Sequence, residues 1–339
     1  MAPDIFRHET LPFPTSLPQF QRLFPDDAAC AAYLEKIRWE HGFTCPHCNA
    51  QGEPFRFANR PGVLRCRKCR RDIALTADTV MERTRTPLST WFWAAYLVAS
   101  HTAGMSATQF QRQLGLKRYE TAFQILHKLR AGMVRPDADR IGRKDGHVEV
   151  DETWIGGATR GEGRGVHDQT LVVAAVEVRQ REEKPTAKTR RGGRIAGRLR
   201  MSVVPTRGAK SLIGFVEGAV DPCTTVVTDG WNGYNQLTAR GYQHIAAAEG
   251  GDPQVAEEYL PIVHLIFSNL KSWLRGCHHG VSPQHLQAYL NEFTFRFNRR
   301  FYPFNAFRSL LGIGGESAAP TYAELYSGEW QHPTASSHG

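Results

Sequence analysis

Apolar positions set the pattern of the second half of the chain. From residue 147 onward, short apolar runs bounded by polar or glycine-rich stretches predict strands at HVEVDETWI, QTLVVAAVEVRQ, RLRMSVVPT, TTVVTDGW and YQHIAAAE. Between the third and fourth, AKSLIGFVEGAV predicts a helix. After the fifth, EEYLPIVHLIFSNLKSWLRGCHH and SPQHLQAYLNEFTFRFNRR predict two longer ones, the second capped by Ser282. Three strands, a helix, a strand and further helices predict an α/β domain over residues 147–312, a mixed sheet with helices on both faces. Phe293, Phe295 and Phe297 read as core positions of the last helix.

The first half has a different pattern. In an N-terminal helical segment, residues 1–40, Asp26 and Asp27 can start a helix whose apolar residues Cys30, Tyr33, Leu34 and Ile37 recur at helical spacing. Residues 86–135 predict three helices. Ser89 or Thr90 caps the first, Gly104 ends it, Ser106 caps the second, and Gly115 turns the chain into the third. Ala122, Ile125, Leu126 and Leu129 share one face of that third helix. Helix, glycine turn, helix is the helix-turn-helix pattern, with Lys117, Arg118, Tyr119 and Gln124 placed to meet DNA. A plain helical bundle accounts for the same spacing nearly as well. RPDADRIGRKDG is a polar linker, and 313–339 reads as a tail. Residues 179–200 hold nine Lys or Arg in 22 positions, a basic loop suited equally to solvent and to phosphate.

Composition narrows the class. The 339 residues carry a formal charge of +9, with a pI near 9.3, which favours polyanionic partners. The sequence has no run of eighteen apolar residues and no charged-then-apolar start, so a cytoplasmic protein is expected. Of seven cysteines, four form two C-x-x-C pairs, Cys45 with Cys48 and Cys66 with Cys69, separated by 17 residues. Four thiolates at that spacing satisfy a tetrahedral Zn²⁺ with no position left for water, so residues 41–82 read as a zinc ribbon with a structural metal.

The candidate chemistry lies at strand ends. Asp151 lies near the end of the first strand of the sheet, and the fourth runs into Asp229. An unpaired buried carboxylate costs several kcal/mol, and two side by side repel unless a cation stands between them. Mg²⁺ prefers few carboxylates plus waters and phosphates. Two such ions about 4 Å apart would activate a water or 3′-hydroxyl for in-line attack at phosphorus. A third ligand is expected from the long helix. His264 and Lys271 are seven residues apart and share a face, so His264 can complete the site while Lys271 touches the DNA backbone. Asn269 and Glu292 compete for the third place, and Glu149 and Glu152 are weaker candidates.

With those residues in hand, the chain resembles the zinc-ribbon-bearing insertion-sequence transposases of bacteria, the group with an ISXO2-like transposase domain. The likeness rests on CPHC…CRKC, VEVDETWIGG, VVTDGWNGY and FSNLKSWLRGCHHGVSPQHLQAYLNEFTFRFNRR, in that order. It implies a ribonuclease H-like domain that cuts and joins DNA with two Mg²⁺ or Mn²⁺ ions. The family's pattern maps onto Asp151 and Asp229. The usual glutamate seven residues before a lysine falls here on His264 before Lys271, and the later Glu–Arg pair on Glu292 and Arg296, where Arg296 can grip phosphate. Implied partners are the element's terminal inverted repeats and target DNA, with a dimer or larger assembly at synapsis. The alternative is a zinc-ribbon DNA-binding regulator whose nuclease-like domain is inactive, motivated by the histidine at 264.

Overall fold

The structure is a computed structural model and describes residues 11–101, 104–134, 140–142, 146–156, 169–180, 193–247, 258–302, 305–316, 320, 321, 324 and 325. Most of the linker ahead of 147, the centre of the basic loop and most of the tail fall outside these residues. Two compact units emerge, one within Met1–Arg135 and Arg299–Trp330, the other within Pro136–Asn298. Among the described residues, no helix is long and apolar enough to cross a membrane.

The first unit begins with α1 (Leu17–Leu23) and α2 (Asp27–Arg38). A three-stranded antiparallel ribbon follows, β1 (Phe55–Phe57), β2 (Arg60–Arg65) and β3 (Asp72–Ala74). Next come α3 (Leu88–Ser100), α4 (Ala107–Gln113) and α5 (Tyr119–Ala131), and α9 (Asn305–Glu316) belongs to the same unit. Asp26 caps α2 by accepting the Ala29 N–H at 2.8 Å. The cap expected of α3 is corrected: neither Ser89 nor Thr90 supplies it. Asp27 does so from α2, accepting the N–H groups of Leu88 at 3.3 Å and Ser89 at 2.9 Å. A carboxylate from a neighbouring helix satisfies the same orphan donors and ties the two helices together.

An aromatic core closes this unit. Phe24 meets Tyr33 at 5.2 Å and Phe307 of α9 at 5.4 Å, centroid to centroid. The sequence pattern puts residues 299–312 with the sheet, but the ring of Phe307 and the buried Arg308, which donates to the Leu11 carbonyl at 3.2 Å, hold α9 in the first unit. In the helix-turn-helix stretch, Ser106 caps α4, and Gly115 takes the left-handed φ of 60° that the turn demands. Ala122, Ile125, Leu126 and Leu129 are buried, while Lys117 and Arg118 are exposed.

The second unit holds a five-stranded mixed sheet: β4 (His147–Ile155), β5 (Thr170–Gln180), β6 (Arg194–Val203), β7 (Thr225–Thr228) and β8 (Gln243–Ala246), in the order β6-β5-β4-β7-β8. β4, β5 and β6 pair antiparallel, whereas β7 lies parallel to both β4 and β8. Alternation sorts the strands' side chains onto two buried faces. Val148, Val150, Val173, Ala175 and Val226 pack under α6 (Ala209–Ala219). Val172, Ala174, Val176 and Val227 pack under α7 (Pro261–Trp273) and α8 (Pro283–Asn298). The expected helices on both faces are present. Phe295 is buried, with Phe293 and Phe297 packed beside it.

Of the acids buried in this sheet, Glu177 on β5 has the fullest set of partners. Glu177 accepts from Arg198 Nε at 3.1 Å, the Arg198 backbone N–H at 2.9 Å, Arg179 at 2.8 Å and the Gly142 N–H at 3.1 Å. Gly197 permits the approach, since a Cβ there would lie 2.6 Å from a Glu177 carboxylate oxygen. Burial pushes the Glu177 carboxyl up, but the donors from Arg198 and Gly142 outweigh it and hold the group at about 2, against 4.5 for a free glutamate. The folded state therefore gains stability that is complete above pH 4.5 and fades as pH falls toward 2, up to about 3 kcal/mol. In urea melts across this range, the stability gap between the wild type and Glu177→Gln should be widest near neutrality and vanish near the acid end.

Candidate active site and metal centre

The register of the sheet builds the acidic site. His147 pairs with Thr225 and Glu149 with Val227 along the parallel β4–β7 ladder. Two further steps bring Asp151 level with Asp229, immediately beyond the last residue of β7, on the face covered by α7. The carboxylates of Asp151, Glu152 and Asp229 offer oxygens that all lie within 4.8 Å of one another. Burial raises the pKa of Asp229, and the charge of Asp151 adds to the rise against the Trp231 N–H and Arg207. Glu152 is likewise raised, first by burial. Crowded acids in a half-dry site favour protonation, and a divalent cation reverses that preference.

α7 brings a histidine to the edge of the cluster. Its first turn has no side-chain cap of its own, and Pro261 stands at its start. Glu149 takes that role from β4: one oxygen accepts the N–H groups of Ile262 at 2.9 Å and Val263 at 2.8 Å. A carboxylate at a helix N-terminus is favoured by the unpaired donors and by the dipole. Glu149 is thus the strut that fixes α7 on the sheet, and it lies outside the acidic cluster. A turn later, His264 Nε2 lies 3.2 Å from Asp151 Oδ2. Two turns further along the same face, Lys271 donates to Thr153 Oγ1 at 2.7 Å. Among the described residues, neither Glu292 nor His264 belongs to the acidic group itself; His264 meets it through Asp151. The Arg296 guanidinium lies 3.6 Å from Glu292 with its side chain only 16% exposed, leaving little of it to meet a phosphate.

Sequence reasoning missed Arg207 and Tyr234. Arg207 sits in the turn between β6 and α6, where no pattern marks it, and its guanidinium pairs with Glu152 and lies 3.8 Å from Asp229. The Tyr234 hydroxyl donates to the other oxygen of Glu152 at 2.6 Å. Glu152 was legible only as an acid beside another acid; its partners are more than fifty residues away.

The four cysteines of the ribbon converge as expected. Cys45 and Cys69 sulfurs lie 3.7 Å apart, as do those of Cys48 and Cys66. Tetrahedral thiolates about 2.3 Å from zinc would be separated by roughly 3.8 Å, so the set fits the ion. The two knuckles repeat each other: Asn49 and Arg70 both take a left-handed φ, at 53° and 60°, and donate backbone N–H groups to the carbonyls of Cys45 and Cys66. N–H groups of Cys69 and Lys68 aimed at the Cys66 sulfur lower its pKa, while the hydrogen bonds shared with the other three sulfurs raise that of Cys48, so the thiols hold protons unequally without a metal.

Comparison with known proteins agrees with this layout. Residues 144–298 match the family model of the ISXO2-like transposase domain, and residues 25–72 that of the transposase zinc-ribbon domain. Two domain models of transposases thus match successive parts of the chain. An uncharacterized protein in transposable element ISH50 of Halobacterium salinarum is 26% identical over 302 residues, 81% of this chain and 92% of the relative. No solved structure matches. The ribbon match begins at residue 25, ahead of the cysteines, and the structure gives the reason: α2 is pinned to the ribbon. Arg38 donates to the carbonyls of Ala74 and Leu75, and Glu35 accepts from Arg56 at 2.6 Å.

Structural zinc in such small modules contributes on the order of 10 kcal/mol of folding free energy. The purified protein should hold one zinc per chain by elemental analysis. Cys48→Ser should lose that zinc and expose the ribbon, β1 to β3, to protease.

Proposed function

We propose that this transposase-family chain cuts and joins DNA at the Asp151–Asp229 site, on a ribonuclease H-like sheet. The observation that supports it most is the level placement of Asp151, midway along β4, and Asp229, just past the end of the parallel neighbour β7, on one face, with His264 reaching Asp151 from α7. Asp151, Asp229 and His264 would hold the metals. When bound, two Mg²⁺ or Mn²⁺ ions activate the attacking oxygen and steady the leaving one for in-line transfer at phosphorus.

The protein's own groups do the rest. Glu149 keeps α7, and with it His264, in register with β4. Lys271, at the sheet end beside Thr153, offers its ammonium to the DNA backbone. Arg296 keeps the buried Glu292 company in α8, and we assign it to order rather than to phosphate contact. The exposed Lys117 and Arg118, at the turn into α5, together with the zinc ribbon, would recognise the element's terminal repeats. Bringing two ends together calls for at least two copies of the chain.

A histidine where related sites carry a glutamate favours a second reading, a DNA-binding regulator that does not cut. The two separate on cleavage of DNA ends. Asp151→Asn and Asp229→Asn should each reduce Mg²⁺-dependent strand cleavage by about a thousandfold or more, some 4 kcal/mol of barrier. His264→Ala should weaken it and His264→Glu restore it. Unchanged cleavage in both aspartate variants would overturn the assignment. No nicking with any divalent metal would favour the regulator.

A further inference from the structure

We propose that Arg207 grips a phosphate of the DNA strand entering the acidic site, with Glu152 serving as its buried anchor rather than as a metal ligand. Both oxygens of Glu152 are already engaged by protein donors, one by Tyr234 at 2.6 Å and the other by Arg207 Nε at 2.6 Å. Its side chain is 1% exposed. Such an acid is poorly placed to meet an incoming cation and well placed to hold a guanidinium.

Arg207 is held on three sides. Nε and Nη2 face Glu152, the guanidinium lies 4.3 Å over the Trp231 ring, and its own carbonyl accepts from Trp231 Nε1 at 3.0 Å. Gly233 makes the last contact feasible, since a Cβ there would lie 2.8 Å from the Arg207 carbonyl oxygen. What is left is Nη1, which has no acceptor among the described residues, on a side chain 37% exposed at the rim of the carboxylates. An arginine that has already given up its rotamer freedom binds a phosphate oxygen at lower entropic cost than a free surface arginine. Its charge also offsets the repulsion between a DNA strand and three acids.

This rests on the reading of the acidic site as the place where DNA is cut, so the test is made without catalysis. Zinc-loaded protein free of added magnesium is titrated onto a random-sequence duplex over a range of salt. Each phosphate contact contributes about 0.9 to the slope of log affinity against log salt. Arg207→Ala should bind more weakly and lower that slope by about 0.9. Arg240→Ala, which removes an exposed arginine paired with Glu217 at 3.4 Å, should leave it unchanged. If Arg207→Ala fails to melt cooperatively, Arg207→Gln carries the same expectation, because it keeps a donor for Glu152 and loses only the charge. An unchanged slope, or an equal drop in the Arg240 variant, overturns the proposal. If cleavage then still depends on Asp151 and Asp229, only the role of Arg207 falls; cleavage indifferent to those aspartates overturns the wider reading.

Discussion

Crowding of acids where the middle of β4 meets the end of β7 is the constraint around which the second unit is arranged. Three carboxylates with oxygens inside 4.8 Å would drive β4 and the end of β7 apart if each were ionised and unattended. The surrounding elements relieve that repulsion unequally. Glu152 has Arg207 and Tyr234, Asp151 has His264 beside it, and Asp229 has the Trp231 N–H and a more distant Arg207. The two aspartates keep the least protein support and so remain the most available to a cation.

The strands themselves explain why the acids sit there. β4 is a central strand, with β5 on one side and β7 on the other, and both of its faces are covered. A central strand normally excludes charge. Glu149 is tolerated because it finishes the N-terminus of α7, and Glu177 on β5 because arginines and backbone donors surround it. Each buried acid of the sheet therefore has its own compensation, supplied from a different part of the chain.

Much of this was legible in the sequence. The alternation in HVEVDETWI gave a strand with the observed bounds, and the paired C-x-x-C motifs gave the ribbon, because both signals are local. The third strand begins at Arg194, ahead of the apolar run at RLRMSVVPT, since ladder bonds to β5 extend it through residues that lack a strand pattern. The Asp27 cap on α3 and the Glu149 cap on α7 were not legible, being long-range bonds made by acids that look unremarkable in their own neighbourhoods. Arg207 escaped for the same reason. Its meaning depends on Glu152 and Trp231, which only the fold brings together.

The aromatic cluster that receives Phe307 has a consequence for biogenesis. Phe20, Phe24, Tyr33 and Phe92 leave the ribosome long before Phe307, with the whole sheet synthesised in between. The N-terminal core therefore stays short of one ring until the whole sheet has been synthesised. A nascent chain truncated before α9 would carry a finished set of sheet strands attached to an incomplete aromatic nucleus, so the competence of the two units is gained in the reverse of their order of synthesis.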